Sequence, residues 1–463
     1  MKVTVSNSIK ITDPSLEIIT YCKDNLVIPN PEYAKKVRMG FWVGNTPKQI
    51  YLYEIHGNEL ILPYGCLKSI LPMLKDAITE SKFKPSVSVD YGEPIPLYDY
   101  QETAVKQAKK GLFGILQSPC GSGKTRCGLA LIKQYGKRAL WLTHTADLLK
   151  QSKSAAEEFY DKDLLGTITE GKVNIGKGIT FATVQTMCKL DLSQYKHYWE
   201  VIVCDECHRV CSSPTQVSMF GKILNSLAAR HKYGLSATVH RADGLIKATF
   251  ALLGDVIYTV PDEAISDRVM RVGVKPIETS VGITRECLNT DGTLNYTKLI
   301  NYLCEDTYRN TLIRNHIIGE SDKSCLILSD RLGHLETIMN LLPSHLRDKA
   351  VMISGKMTTK RGKAEREQAI KDMRSGEKKY LFASYSLCRE GLDIPCLERL
   401  FMASPVSDYT VVTQSIGRIA RTSEGKADPI VFDFIDNIGY LQKRYKKRCS
   451  TYKKNDCYFT GGD

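Results

Sequence analysis

From residue 97 to about 260, short apolar runs alternate with segments of helical periodicity. The runs Gly114-Ile115-Leu116, Ala139-Leu140-Trp141-Leu142, Ile179-Thr180-Phe181-Ala182 and Val201-Ile202-Val203 are nearly continuous and do not alternate with polar positions. Strands of that kind are buried on both faces, as in a parallel sheet with helices on each side. A less decisive stretch leads to a helical run over 296–318. The alternation then resumes at Cys325-Leu326-Ile327-Leu328, Ala350-Val351-Met352-Ile353, Tyr380-Leu381-Phe382-Ala383, Leu400-Phe401-Met402 and Ile430-Val431-Phe432-Asp433-Phe434. The pattern predicts two α/β lobes in tandem.

Residues 1–90 read differently. Val3 and Val5, then Ile9 and Ile11, mark short alternating strands, and Tyr51-Leu52-Tyr53-Glu54-Ile55 and Glu59-Leu60-Ile61-Leu62 flank a turn at His56-Gly57-Asn58. Leu67, Ile70, Leu71 and Leu74 recur at helical steps. This predicts a small α+β accessory domain at 1–90, open to DNA binding. The linker-like Gly92-Glu93-Pro94-Ile95-Pro96 follows. A first lobe at 91–260 and a second at 261–463 complete the expected division.

Composition supports several buried cores: the chain has 463 residues, 43% hydrophobic and 25% charged. At roughly 150 residues per domain the length suits about three domains. No run approaches the ~20 apolar residues of a membrane span, and Met1-Lys2-Val3-Thr4-Val5 lacks the apolar core of a signal peptide. A cytoplasmic protein without a membrane partner is expected. The 15 cysteines are scattered, which favours free, mostly buried thiols in a reducing compartment. A net charge of +13 suits a polyanionic partner.

The chemistry begins at Ser118-Pro119-Cys120-Gly121-Ser122-Gly123-Lys124-Thr125, a phosphate-binding loop (Walker A) with Ser118 in place of its first glycine. An apolar strand precedes it and a helical pattern follows, so its backbone N–H groups and the helix dipole would face phosphate oxygens. Lys124 is expected to reach the β and γ phosphates of ATP, and Thr125 to ligate Mg²⁺. Val201-Ile202-Val203-Cys204 runs into Asp205-Glu206-Cys207-His208. There Asp205 is expected to hold the metal's outer ligands and Glu206 to polarise the attacking water. Cys204, Cys207, His208 and Cys211 invite a zinc reading, but a buried strand position and the lack of a second C-x-x-C pair favour buried thiols.

Nearly three hundred residues on, Gln414-Ser415-Ile416-Gly417-Arg418-Ile419-Ala420-Arg421 offers two guanidiniums. One lobe of ordinary size has no room for both motifs, which predicts two lobes with ATP between them. Arg418 and Arg421 then join Lys124, Asp205 and Glu206 as catalytic candidates, since an arginine reaching the γ-phosphate stabilises transition-state charge.

With the segments between them, these motifs make the chain resemble the superfamily 2 helicases, with a DECH form of the acidic box, over about residues 97–436. The resemblance implies α/β architecture with two tandem RecA-like parallel-sheet lobes. Leu97-Tyr98-Asp99-Tyr100-Gln101 resembles the motif whose glutamine reads adenine, here Gln101, although the arginine often found near Tyr98 is absent. Trp141-Leu142-Thr143-His144-Thr145 and Ala182-Thr183-Val184-Gln185-Thr186 resemble strand-end motifs touching a nucleic-acid backbone, which nominates Thr143, Thr183 and Gln185. Ser236-Ala237-Thr238, followed by Arg241-Ala242-Asp243-Gly244, resembles the tripeptide that couples hydrolysis to movement, with His208 as its companion. Ala383-Ser384-Tyr385-Ser386 to Glu390-Gly391-Leu392-Asp393-Ile394-Pro395 resembles motif V, which places Ser384 on the nucleic-acid track and Gly391 and Asp393 at the nucleotide. The same resemblance adds Gln414 to the catalytic candidates. Within the superfamily the wording is similar to XPB-like and UvsW-like DNA helicases. Ile28-Pro29-Asn30-Pro31-Glu32-Tyr33 and Gly44-Asn45-Thr46-Pro47 are similar to phage-type members that process branched DNA.

Charge is uneven. Residues 443–454 hold seven cations and no acids, with Tyr445 and Tyr452 among them. Lys443, Arg444, Lys446, Lys447 and Arg448 are therefore candidates for phosphate contacts, and a solvated helix closing the second lobe is the competing reading. Residues 356–379 carry nine cations against four acids, as an exposed helix would. The expected function is an ATP- and Mg²⁺-dependent DNA helicase or translocase, monomeric and 3′ to 5′ by resemblance, acting on single-stranded, forked or branched DNA. An RNA helicase or transcript-release factor, and an ATP-switched binding protein that separates no strands, are the alternatives.

Overall fold

Runs of β-branched and aromatic residues that must hide both faces build the two main sheets. The computed structural model describes residues 1–460 apart from 76, 120, 212, 240–243, 266–268, 356, 358 and 390–393. It divides into two units, Met1–Ala264 and Ile265–Asp463. Among the described residues no helix is long and apolar enough to cross a membrane.

In the first unit eight strands lie in the order Lys172–Asn174, Leu165–Thr169, Ile179–Thr183, Ala139–Thr143, Val201–Cys204, His231–Ser236, Gly114–Gln117, Val256–Thr259. All neighbours are parallel except the first pair. The four runs legible as strands form the interior. His231–Ser236 was not legible as a strand, because His231, Lys232 and Gly234 interrupt its apolar character. It is nevertheless buried throughout, and the Lys232 ammonium is accommodated by the carbonyls of Leu224 (2.6 Å) and Asn7 (3.3 Å).

A second, five-stranded sheet near the N-terminus runs Glu54–His56, Glu59–Pro63, Ser8–Thr12, Lys2–Val5, Ile78–Ser81. The expected hairpin forms only from Glu54 onward. Gln49–Tyr51 instead pairs with Val27–Pro29 as a separate two-stranded ribbon. The helical run at 67–74 tightens into a 3-10 turn over Leu71–Leu74, where Pro72 has no N–H to continue the α pattern. The accessory sheet shares its core with the first lobe, since Val3, Ile9, Leu60 and Ile70 cluster with Phe113 and Ala251. At Gly65 an added Cβ would lie 2.5 Å from the Gly254 nitrogen, so only glycine permits this approach.

The second unit holds one wholly parallel sheet, ordered Ala350–Ile353, Tyr380–Ser384, Cys325–Ser329, Arg399–Met402, Ile430–Asp436, Gly273–Thr279, Tyr458–Phe459. The helical run at 296–318 is two helices, Tyr296–Glu305 and Thr307–Gly319. Asp306 separates them and caps the second by accepting the Arg309 N–H at 2.7 Å. The fold is therefore two parallel-sheet α/β lobes with an α+β accessory domain. Cysteines such as Cys22, Cys66, Cys127 and Cys204 are free thiols.

Candidate nucleotide site and second-lobe motifs

Parallel strands deliver their carboxyl ends to one edge of a sheet, which is where open α/β folds bind ligands. Gly114–Gln117, His231–Ser236 and Val201–Cys204 are neighbours, so the phosphate loop, Ser236-Ala237-Thr238 and Asp205-Glu206 emerge side by side. The Ser118 N–H donates to the Ser236 carbonyl at 2.9 Å, tying two of these motifs together.

The loop enters the helix Lys124–Tyr135 through Gly123, whose φ of 76° is left-handed. A Cβ there would lie 2.5 Å from the Gln101 Nε2. Ser122 Oγ donates to the Pro119 carbonyl at 2.7 Å, and Lys124 Nζ lies 3.4 Å from the Ser118 carbonyl. The lysine is thus drawn back over its own loop. Cys120 lies outside the described residues; Gly121 has a φ of 85°. Pro119 and Thr125 flank the turn and the first helical residue.

Gln101 is buried, and both ends of its amide are engaged: Oε1 accepts from the Tyr98 N–H at 3.1 Å and Nε2 donates to the Ser122 carbonyl at 2.9 Å. In this conformation it braces the phosphate loop and is not presented to a base. Sequence reasoning missed Arg126, whose guanidinium lies 6.0 Å from the Tyr98 ring and 5.1 Å from Phe159. It brings a cation to Tyr98 from the helix after the loop, in a chain that has no arginine next to Tyr98 in sequence.

Asp205 is buried; its Oδ2 accepts from Ser152 Oγ at 3.1 Å and its Oδ1 from the Glu206 N–H at 3.0 Å. Burial and the adjacent Glu206 charge hold its carboxyl above the usual range, while Lys124 pulls the other way. Glu206 has a φ of 48°. A non-glycine residue in that region costs roughly 1–2 kcal/mol, a strain characteristic of functional sites. The turn aims Glu206 at His208, whose Nδ1 lies 3.2 Å from its carboxylate and 3.0 Å from Ser236 Oγ. Ser236 Oγ donates its one proton to the Thr238 carbonyl (2.7 Å) and accepts from the Thr238 N–H (3.1 Å). His208 must therefore supply the remaining hydrogen, which fixes its proton on Nδ1. Ala237 lies between the two hydroxyl residues of that turn.

The cysteines around this site do not assemble a metal centre among the described residues. Cys204, Cys207 and Cys211 are buried, and burial raises the Cys204 and Cys207 thiols. Cys207 packs on Gly234, where a Cβ would lie 2.8 Å from its Sγ.

The backbone-contact candidates divide. Thr143 and Thr183 are register partners at the ends of adjacent strands, and both are buried. Thr143 Oγ1 donates to the Thr145 carbonyl at 3.2 Å and Thr183 Oγ1 to Thr186 Oγ1 at 3.1 Å. Gln185 Nε2 donates to the His144 carbonyl at 2.8 Å, so it links the two loops. Thr143 and Thr183 are thus held inside the strand ends by internal partners, while half-buried Gln185 lies between the two loops.

In the second unit Gln414 and Arg418 lie on the helix Tyr409–Ile419, capped by Asp408 through the Val411 N–H (3.0 Å). Gln414 is buried, and Arg421 follows the helix end. Sequence reasoning missed Lys426, whose ammonium donates to the carbonyls of Ile419 (2.7 Å), Arg421 (2.6 Å) and Pro395 (3.0 Å). It holds that helix end in place. Ser384 ends its strand within 2.8 Å of Ser386 Oγ. Gly391 and Asp393 lie outside the described residues, as do Arg241, Ala242 and Asp243.

The basic helix Gly439–Lys454 is not one cationic surface. Arg448 is a correction: it is 2% exposed. It forks onto both Asp433 oxygens at 2.8 Å and donates to the Val406 carbonyl. Tyr452 is buried beside it and donates to Asp433 at 2.7 Å. Arg444 donates to the hydroxyls of Tyr296 and Tyr440, both at 3.0 Å. Lys443, Lys446 and Lys447 remain exposed.

Comparison with known proteins agrees with this layout. Residues 94–241 match the family "Type III restriction enzyme, res subunit", and residues 308–423 match "Helicase conserved C-terminal domain". The "Probable helicase D10" of Escherichia phage T5 is 27% identical over 375 residues, covering 80% of this chain and 76% of that protein. The "DNA 3'-5' translocase XPB2" of Sulfurisphaera tokodaii is 23% identical, covering 72% and 81%. The solved structure of S. cerevisiae Dbp5 bound to RNA and ADP BeF3 shares the fold with a TM-score of 0.55 at 17% identity, over 86% of this chain and 93% of that one. With a nucleotide-loop lobe followed by a helicase C-terminal lobe, the chain belongs to the superfamily 2 helicases, ATP-hydrolysing enzymes related to the XPB and UvsW proteins.

Proposed function

We propose that this enzyme hydrolyses ATP to move along DNA and to unwind or remodel single-stranded, forked or branched substrates. The observation that carries the reading is the shared sheet edge, where His208 Nδ1 stands 3.2 Å from the Glu206 carboxylate and is hydrogen-bonded to Ser236 Oγ beside the phosphate loop. In this reading His208 links the residue assigned to hydrolysis with the tripeptide assigned to coupling. The choice of DNA is supported by the DNA translocase and DNA helicase names among the relatives. In this reading residues 1–90 form the accessory domain, 91–260 the nucleotide lobe and 261–463 the second lobe. The same reading takes it to act as a monomer and in the cytoplasm, the second supported by the phage origin of relatives.

Lys124 would neutralise the β and γ phosphates while Glu206 orients the attacking water. Thr125 and Asp205 fit a Mg²⁺ ion: one is a hydroxyl on the first helical turn, and the other is a carboxylate that burial and then the Glu206 charge hold above its usual range. When bound, the ion would neutralise charge on the transferring phosphate. Gln414, Arg418 and Arg421 are assigned to stabilising that charge from the second lobe. Exposed Lys443, Lys446 and Lys447 are assigned to phosphates of the polymer.

ATP turnover measured with single-stranded, duplex, forked and four-way DNA, and with matched RNA, tests the reading. Forked DNA is expected to stimulate most. Stimulation by RNA alone would replace DNA with the transcript alternative, and ATP-independent strand displacement would defeat the motor.

A further inference from the structure

Between the ribbon strands Val27–Pro29 and Gln49–Tyr51 the chain makes an excursion that the helicase core does not use. Its base is clamped by Asn30, which is buried. The Asn30 side chain accepts from the Glu32 N–H at 3.0 Å and donates to the Pro47 carbonyl at 2.8 Å, while its own N–H donates to the Lys48 carbonyl at 3.0 Å. Lys36 closes the middle by donating to Thr46 Oγ1 at 2.6 Å. Below the clamp, Ile28 packs with Cys211, Val217, Leu245 and Ala248. These residues flank the acidic box and the Ser-Ala-Thr turn. The excursion is therefore a pinned arch whose base packs on residues that follow those two segments.

What the arch presents is unusual for a monomer surface. Its helix Pro31–Arg38 buries no residue, and Val37, Met39, Phe41 and Trp42 are all exposed, Phe41 by 60% and Trp42 by 87%. The Trp42 indole is held from one side, since a Cβ on Gly44 would come within 3.0 Å of the ring. Its ring also borders a cavity of about 670 Å³ that reaches Thr46, Pro47 and Tyr51, within the size range of ligand sites. Around these rings Lys35, Arg38 and Lys48 are exposed, and Glu32 is the only acid between residues 30 and 51. An apolar protein partner would account for the rings and leave the cations without a role. A strand of unpaired nucleotides accounts for both, because bases stack on aromatic faces while cations follow the phosphates.

We propose that this arch is a second nucleic-acid site, in which Trp42 and Phe41 stack on unpaired bases and Lys35, Arg38 and Lys48 hold the adjoining phosphates. The inference rests on the reading of the chain as a nucleic-acid motor and adds a base-stacking site in the accessory region.

The chain has three tryptophans, and Trp141 and Trp199 are buried. Quenching of the full-length protein's tryptophan emission thus reports on Trp42. Oligo(dT) and oligo(rU) of about 16 nucleotides are the two probes, with affinity measured separately by anisotropy. Stacking is expected to quench the emission. Trp42→Ala is expected to weaken binding roughly five- to a hundredfold, and Trp42→Phe to remove the quench while keeping most of the affinity. Equal quenching by both probes assigns the site to unpaired bases of either sugar; quenching by one assigns it to that polymer. If the wild type binds oligonucleotide while Trp42 emission and Trp42→Ala affinity stay unchanged, the arch proposal falls and the motor reading stands. Absence of all oligonucleotide binding would sink both. A concentration-dependent blue shift without nucleic acid, abolished in Trp42→Ala, would assign the patch to a second copy of the chain and overturn the proposal.

Discussion

His208 donates its Nδ1 proton to Ser236 Oγ over 3.0 Å while standing 3.2 Å from the Glu206 carboxylate. One imidazole thus touches both the residue assigned to orient water and the turn assigned to transmit its consequence. A change in charge or position at Glu206 is therefore expected to reach the Ser236-Thr238 turn through His208.

His208→Ala should therefore separate turnover from movement. Basal ATPase is expected to persist, while stimulation by forked DNA falls about 5- to 150-fold, the range of a typical coupling energy. A double-mutant cycle with Ser236→Ala should be non-additive by at least about 0.5 kcal/mol. Additive losses would mean that the contact carries no coupling.

Lys124→Ala should lower ATP turnover about 10²- to 10³-fold, the usual cost of removing one preorganised charge from a transition state. Polymer binding measured without nucleotide should survive. A fully active Lys124→Ala enzyme would place the chemistry elsewhere.

The basic C-terminal helix should split into two classes of variant. Arg448→Ala strands Asp433 in the core, and losing one partner of a buried pair costs about 3–5 kcal/mol. Denaturant melts should show this irrespective of nucleic acid. Lys446→Ala with Lys447→Ala should leave the melt unchanged and reduce the salt slope of DNA binding by about 2.

His334 sets an acid limit on the second unit. It is buried with Nε2 facing Asn310 Oδ1 at 2.8 Å and Nδ1 facing Ser329 Oγ at 2.9 Å. The Asn310 amide already donates to the Cys304 carbonyl, so its oxygen takes the Nε2 proton and Nδ1 accepts from the serine. Burial and the nearby Arg309 charge lower the His334 pKa to about 3. A folded value below the unfolded 6.5 leaves stability intact above pH 6.5, where both states are neutral. As pH falls from 6.5 towards 3 the unfolded chain binds the proton first, costing at most roughly 5 kcal/mol. His334→Gln should flatten stability against pH in that window; an unchanged slope would assign acid sensitivity to other groups.

Much of the architecture was legible because fully buried parallel strands leave continuous apolar runs. The strand His231–Ser236 escaped notice because its lysine is satisfied by carbonyls from distant segments, one of them in the accessory domain. Tyr51 was read into the hairpin strand, yet it belongs to the ribbon strand Gln49–Tyr51, for a related reason: local alternation cannot say which partner a strand will choose. Loop motifs such as Ser118–Thr125 were readable since their chemistry depends on residue type and order within a few positions.

Order along the chain determined that this protein has a phosphate loop, an acidic strand end, a distant arginine pair and an excess of cations. Tertiary structure decided which of those groups are available. Seven cations at 443–454 look alike in sequence, yet Arg448 is buried against Asp433 while Lys446 and Lys447 are exposed. Charge is a property of the residue, but access and partners are set by segments far away in the chain, and only folding brings those together.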